Sequence, residues 1–290
     1  GLTVMAYNVK MMSGMFSDGK NSARVKKIPA VIAGHDVVAF SEVFHNDYRK
    51  TLHKRIAKEY KYRTQVIDKK GTPEDGGVFI ASKWPIVGKV KSKVFPHDYK
   101  DIEACVAEDC HSAKGVQYVK INKLGKIYHV FGTHLQNPDP YPSAYDPIKA
   151  LINQARIIGD WIKALKIPSS EPVIIAGDLN VDLDDVNLRN QVLQKLGAGL
   201  PEHAGPYHTF YPEKPGDREH LDYVVYSKMH LPPKSALQIS IIPPYVVSDH
   251  HPVRGTYVFP ELRELWLMWS KANQDNFSMV STPLLKKSFK

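Results

Sequence analysis

The chain has 290 residues, enough for one large domain or two small ones, and 43% are hydrophobic, enough for a sizeable core. No apolar run reaches the length of a membrane-spanning helix. Lys and Arg number 39 against 30 Asp and Glu, and the net charge of +9 favours an anionic surface, nucleic acid or membrane, without choosing between them.

No signal-peptide pattern opens the chain; Gly1 leads straight into a strand, as expected where a leader has been cut away. Apolar, β-branched runs predict strands at residues 2–8, 37–41, 77–82, 116–121, 127–133, 173–177, 222–227 and 253–258. Helices are predicted at 21–33 and 46–59. The clearest helix runs from Ile148 to Leu165, where Ile148, Leu151, Ile152, Ala155, Ile158, Ile162 and Leu165 share a face. Strands and helices alternate early, but the middle is strand-rich. A mixed sheet pair with helices outside fits this better than a purely parallel sheet. No repeat or low-complexity linker breaks the pattern, so a single domain over 1–259 is expected, with 260–290 as an appended tail. Cys105 and Cys110 flank a short acidic stretch. They read either as a small loop disulfide, which would indicate an oxidising compartment, or as two free thiols. Without further cysteines they make a poor zinc site.

Polar residues close many of the apolar runs. Asn8 ends the first strand, where an Asn often serves only as a turn residue. Glu42 follows Val37-Val38-Ala39-Phe40-Ser41, and a carboxylate there is costly unless paired or bound to a cation. His134 ends a third run. Asp178 and Asn180 end a fourth and would point to one side if the strand extends through them; the competing reading is an Asx turn. Asp222 starts a strand, either as a cap or to orient a catalytic imidazole. Asp249-His250 sits between two apolar runs and pairs a carboxylate for a hard cation with an imidazole that takes a proton near neutral pH. Active sites in sheet proteins gather at strand ends. Oxygen ligands with two imidazoles and no cysteine suit a Mg²⁺-like ion and phosphoryl-ester hydrolysis.

The ordered set Asn8, Ser41-Glu42-Val43-Phe44, Gly132-Thr133-His134-Leu135-Gln136, Gly177-Asp178-Leu179-Asn180-Val181, Glu219-His220-Leu221-Asp222-Tyr223 and Ser248-Asp249-His250 resembles the endonuclease/exonuclease/phosphatase superfamily. Within it the chain looks like the bacterial neutral sphingomyelinases, over roughly residues 2–258. The branch is suggested by the wording around Glu42, His134 and Lys114, and by Glu74-Asp75-Gly76-Gly77-Val78 followed by Ser82-Lys83-Trp84-Pro85-Ile86. The resemblance implies an α/β four-layer sandwich of two packed mixed β-sheets flanked by helices. It implies a central Mg²⁺, replaceable by Mn²⁺ or Co²⁺, held by Glu42 with Asn8 and Asp249 nearby. His250 would be the general base, oriented by Asp222, with His134 across the scissile phosphodiester and Asp178 and Asn180 positioning metal, phosphate or water. A second divalent ion is expected at an edge, at Asn46, Glu74 and Asp75, and Asp139 is expected near the substrate.

Two features depart from the branch. It often carries a long aromatic hairpin before its Asp-His motif, whereas here residues 229–247 are short, contain four prolines, and offer Tyr245 as their only aromatic. The tail lies outside the matched region. In it Leu262, Leu265, Trp266 and Trp269 fall at helical spacing, with Lys271, Lys286, Lys287 and Lys290 nearby. That stripe serves either lipid contact or packing on the domain's own sheet or a neighbouring chain. The expectation for the whole is a secreted, monomeric, Mg²⁺-dependent sphingomyelin phosphodiesterase acting at a membrane surface, with no obligatory protein partner. The alternatives are a nuclease on the same scaffold, for which the charge argues, and a membrane-binding toxin without catalysis.

Overall fold

The computed structural model describes residues 1–96, 105–140 and 146–278. In chain order the elements are β1 (Leu2–Met11), α1 (Asn21–Ile32), β2 (Val37–Val43), α2 (Asn46–Ile56), β3 (Tyr62–Arg63), β4 (Phe79–Ser82), β5 (Ile86–Val94), β6 (Gly115–Lys123) and β7 (Lys126–His134). They continue with α3 (Pro147–Ala164), β8 (Val173–Asp178), α4 (Val186–Leu196), β9 (Ala198–Gly199), β10 (Glu202–Ala204), β11 (Asp222–Ser227), β12 (Ser235–Ser240), β13 (Val253–Val258) and α5 (Leu262–Ser278).

Two sheets form. One has seven strands in the order β10-β12-β13-β1-β2-β4-β3, the other six in the order β5-β6-β7-β8-β11-β9. Both are mixed: β1 runs parallel to β2 and β7 to β8, with antiparallel partners on either side. Period-two alternation in β1 explains the layering. Val4 and Ala6 face the second sheet, where they meet Val119, Ile174, Ala176 and Val224. Met5, Tyr7 and Val9 face the other way, onto Val25, Ile28 and Ile32 of α1 and Leu52 and Ile56 of α2. The second sheet turns Phe131, Ile175 and Val225 outward onto α3 and α4. The order is therefore helices, sheet, sheet, helices, the expected four-layer sandwich.

α3 starts where its chemistry dictates. Asp146 accepts from the Ile148 and Lys149 amides, and Pro147 occupies the first turn, where a lost N–H costs nothing. Leu151, Ala155, Ile158 and Ile162 are buried as expected, but Ile148 is 44% exposed. Cys105 and Cys110 are disulfide-bonded, and both are buried rather than set in an exposed loop. Residues 241–252 join β12 to β13 without a strand, leaving Ile242, Tyr245 and Val246 exposed. On α5 Trp266 and Trp269 are 63% and 66% exposed, so neither packs on the domain's own sheet. The helix is tethered by ion pairs of Lys234 with Glu264 and Lys126 with Glu261. Lys286, Lys287 and Lys290 lie outside the described residues.

Candidate active site

The ends of β7, β8 and β11 bring three polar residues into one row. His134 lies opposite Asp178 across the parallel β7–β8 pair, and Asp178 opposite Asp222 across the antiparallel β8–β11 pair. Close approach of β7 and β8 depends on Gly177, where a Cβ would come within 1.8 Å of the Thr133 carbonyl oxygen. The first sheet supplies Asn8 and Glu42. Register between β1 and β2 shifts after Asn8, and Lys10 and Glu42 both adopt left-handed backbone, φ 51° and 55°. Strict alternation would turn Glu42 toward the helices with Val38 and Phe40; instead it lines the cleft. Asn180, φ 51°, is strained in the same way, and such residues cost about 1–3 kcal/mol each, a strain characteristic of functional sites.

These side chains meet at the floor of a cleft of about 670 Å³. Its wall includes Glu42, Glu74, His134, Asp139, Asp178, Asn180, Asp249 and His250, together with the disulfide loop. Asn8 and Asp222 are fully buried behind it. The His250 Nδ1–H donates to Asp222 Oδ2 at 2.7 Å, and Nε2 stands 3.7 Å from Asp178 Oδ2. His134 Nε2 is 3.4 Å from the same oxygen, which also accepts from Asn8 Nδ2 at 3.1 Å. Asp178 Oδ1 accepts from the Asn180 amide, and Asn180 Nδ2 donates to the Leu135 carbonyl. The Ser248 hydroxyl donates to the Asn8 carbonyl and accepts from the His250 amide, tying the Asp-His segment to β1. Asp249 faces the cleft paired with Lys10 Nζ at 3.1 Å. Asp139 sits exposed at the rim, bonded only to Asn137 among the described contacts.

Thr209 was not singled out from sequence. The buried Thr209 hydroxyl donates to Asp222 Oδ2 at 2.7 Å and accepts from the Leu221 and Asp222 amides. It fixes the carboxylate that fixes His250. Thr209 lies in an irregular segment, brought near by bridges of Phe210 to Glu219 and His250, so no periodicity marks it.

Charge is unevenly balanced here. Burial lifts the Glu42 carboxyl; His250 opposes the shift and Asp249 adds to it. Glu42 is only half-buried as a residue, but its carboxyl is the desolvated part. Asp178 is also raised, by burial first and then by Asp222. Burial would lower His250, but Asp222 and Asp178 outweigh it and raise the imidazole to about 10. Burial, with Lys114 and His250, holds His134 well below the usual histidine range, so it is neutral. Asp222 Oδ1 is buried without a partner among the described residues. Asp178, Asp222 and His250 bring ligand atoms within 4.8 Å of one another. Buried carboxylates this crowded are costly without positive charge, and the oxygen-rich, cysteine-free set fits a hard divalent cation.

The residues expected at the edge do not gather in the same way. Asn46 Oδ1 and Asp75 Oδ2 both accept from the Arg49 guanidinium, whereas Glu74 Oε1 accepts from the Ser13 hydroxyl at the cleft wall.

Comparison with known proteins agrees with this architecture. The Endonuclease/Exonuclease/phosphatase family model matches residues 5–250. A sphingomyelinase C of Bacillus cereus is 32% identical over 306 aligned positions, covering 88% of each chain. The sphingomyelinase C of Streptomyces griseocarneus superposes with a TM-score of 0.79 at 30% identity, over 89% of this chain and 99% of that one. A double mutant of the Staphylococcus aureus beta toxin with bound magnesium ions superposes with a TM-score of 0.80 at 30% identity, again over 89% and 99%. By sequence, by fold and by the composition of its cleft, this chain belongs to the endonuclease/exonuclease/phosphatase family and is a homologue of the bacterial sphingomyelinase C proteins.

Proposed function

We propose that the chain is a Mg²⁺-dependent phosphodiesterase that hydrolyses sphingomyelin to ceramide and phosphocholine outside the cell. The observation that carries this reading is the Asp222–His250 pair at 2.7 Å, set beside Asp178 and His134 in one cleft with Glu42. His250 Nε2 takes a proton from water while Asp222 holds Nδ1–H and stabilises the imidazolium. The water oxygen bonds to phosphorus, and the bond from phosphorus to the ceramide oxygen breaks. The ceramide oxygen leaves with the electron pair and takes a proton from solvent, and the imidazolium of His250 returns its proton to solvent, so the cycle closes with no net proton held. In this reading neutral His134 and the Asn180 amide donate hydrogen bonds to phosphate oxygens rather than carry charge, which their position in the cleft lining supports. Glu42, with Asn8 and Asp249 beside it, would hold the divalent cation, whose charge screens the phosphate and lowers the proton affinity of His250. Mn²⁺ or Co²⁺ could substitute. In this reading Asp139 meets the choline cation, which its exposed position in the cleft lining supports.

Lipid contact is assigned to exposed apolar side chains: Trp266 and Trp269 of α5, and Tyr245 and Val246 of the loop before the Asp-His motif. A nuclease is the second reading, favoured by the net charge of +9. Phosphocholine release from sphingomyelin vesicles, with and without EDTA and beside a plasmid-nicking control, tests both. EDTA-sensitive phosphocholine release without nicking is expected; nicking without release would reverse the assignment.

A further inference from the structure

Beside the cleft, four oxygens converge on one side chain. Arg49 Nη1 donates to the Val43 carbonyl at 2.6 Å and to Asp75 Oδ2 at 2.9 Å, and reaches the Phe44 carbonyl at 3.5 Å; Nη2 donates to Asn46 Oδ1. A carboxylate, an amide oxygen and two backbone carbonyls are the donor types that hard divalent cations collect. Here they collect a guanidinium, whose planar fork of donors serves several oxygens at once. The other carboxylate oxygen of Asp75 is also taken, by the Gly77 amide at 2.8 Å.

Helix propensity does not explain this arrangement. Arg49 sits in the first turn of α2, where the helix dipole disfavours a cation, and its side chain turns back toward the helix start. Asp75 offsets that cost. The site is also closed on its far side. Val43 N donates to the Gly77 carbonyl, and a Cβ at Gly77 would come within 2.8 Å of the Phe44 ring.

We infer that Arg49 is the edge cation of this protein: its guanidinium occupies the oxygen cage formed by Asn46, Asp75 and the Val43 and Phe44 carbonyls, and this edge takes no divalent ion. The expected trio is thereby divided, with Glu74 bound to Ser13 instead. Arg49 also acts as a positioning residue, because it grips the carbonyl of Val43, immediately after the strained Glu42. A brace that other proteins could make with dissolved metal is here covalently part of the chain, so metal dependence reduces to the central cleft.

The inference concerns ion stoichiometry and stands apart from the substrate assignment. The test counts bound Mn²⁺ per folded chain by paramagnetic resonance and equilibrium dialysis. Arg49→Ala should bind one more Mn²⁺ than the unaltered protein, Arg49→Lys should bind no more, and Arg49→Ala/Asp75→Asn should lose the gain. Because the readout is a difference, it holds whatever the count in the central cleft. Asp75→Asn alone should leave the count unchanged, which decides the matter even if Arg49→Ala folds poorly. A count that falls by one in Asp75→Asn, or a folded Arg49→Ala that gains no ion, overturns the inference.

Discussion

Two oxygen-rich clusters lie side by side at one end of the sandwich, and they solve the same electrostatic problem differently. In the central cleft Glu42 and Asp178 are both pushed above the ordinary carboxylate range, Asp222 keeps one oxygen unpartnered, and His250 is held protonated by its neighbours. At the edge, burial raises Asp75 as well, but both its oxygens are satisfied, one by Arg49 and one by a backbone amide, and both contacts oppose that shift. Chemically similar donors therefore mean different things. On the proposed reading, a cluster whose negative charge is left unbalanced takes a dissolved cation and reacts, whereas one balanced by its own arginine is a structural joint. Charge accounting separates the two where residue types alone do not.

The sharpest way to break this contrast is to remove the proposed proton acceptor. His250→Ala should lower turnover by about 10²–10⁴-fold with folding and Mg²⁺ binding kept, as loss of a general base does. His251→Ala, whose ring stacks on Tyr211 and does not line the cleft, should be far milder; the reverse order would move the base by one residue. Next comes the cation. Glu42→Ala should lose Mg²⁺ affinity and activity together, and Glu74→Ala should lose less of both; unchanged calorimetric Mg²⁺ binding in the Glu42 variant would exclude the central assignment.

Thr209→Val tests the support behind the base. It leaves the Leu221 and Asp222 amides without their acceptor, at about 1–3 kcal/mol for each orphaned buried group, read by denaturant unfolding. Turnover should fall with it, because Asp222 loses a donor that orients it.

A smaller effect concerns pH. The folded protein holds the His250 proton up to about 10, against 6.5 ordinarily. The stabilisation this confers is fully present below about pH 6.5 and lost as pH rises toward about 10. Metal-free protein should therefore melt lower at about pH 9 than at about pH 6, and Mg²⁺ should flatten the dependence. A metal-free melting curve indifferent to pH would contradict the charge balance described for the cleft. The smallest effect on chemistry should follow truncation after Phe259: vesicle binding weakens, while a soluble phosphocholine ester is cleaved nearly normally. Loss of solubility or thermal stability on truncation would instead make α5 structural.

The eight predicted strands and three predicted helices all form, because each buries one clear face or lies wholly inside. Of the elements that escaped, β5 has no such face and α4 only a short one, Leu188, Val192, Leu193 and Leu196. β5 carries Lys89, Lys91 and Lys93 and is exposed through most of its length, as an edge strand protected by charge. α4 is short and only partly apolar, though Asp185 at its start and left-handed Gly197 at its end are ordinary cap signals that sequence reading could have used. In the cleft, the strand-end residues were legible because polar groups closing apolar runs are conspicuous. Thr209 and Arg49 were not, since each acts through contacts between segments distant in the chain or folded back on themselves.

The row His134, Asp178, Asp222 carries a further consequence. Neighbouring residues of a strand point to opposite faces, so a slip of one position reverses every side chain beyond it. Inserting a single residue within β8 before Asp178 would turn this carboxylate away from His134 and Asp222 and would set a side chain where only Gly177 fits against Thr133. Only the exposed stretches of the connections, such as residues 213–217 and 244–246, carry no such constraint. Change in this protein should therefore be governed by length as much as by identity: deletions and insertions accumulate in the connections, while the spacing of these three strands stays frozen.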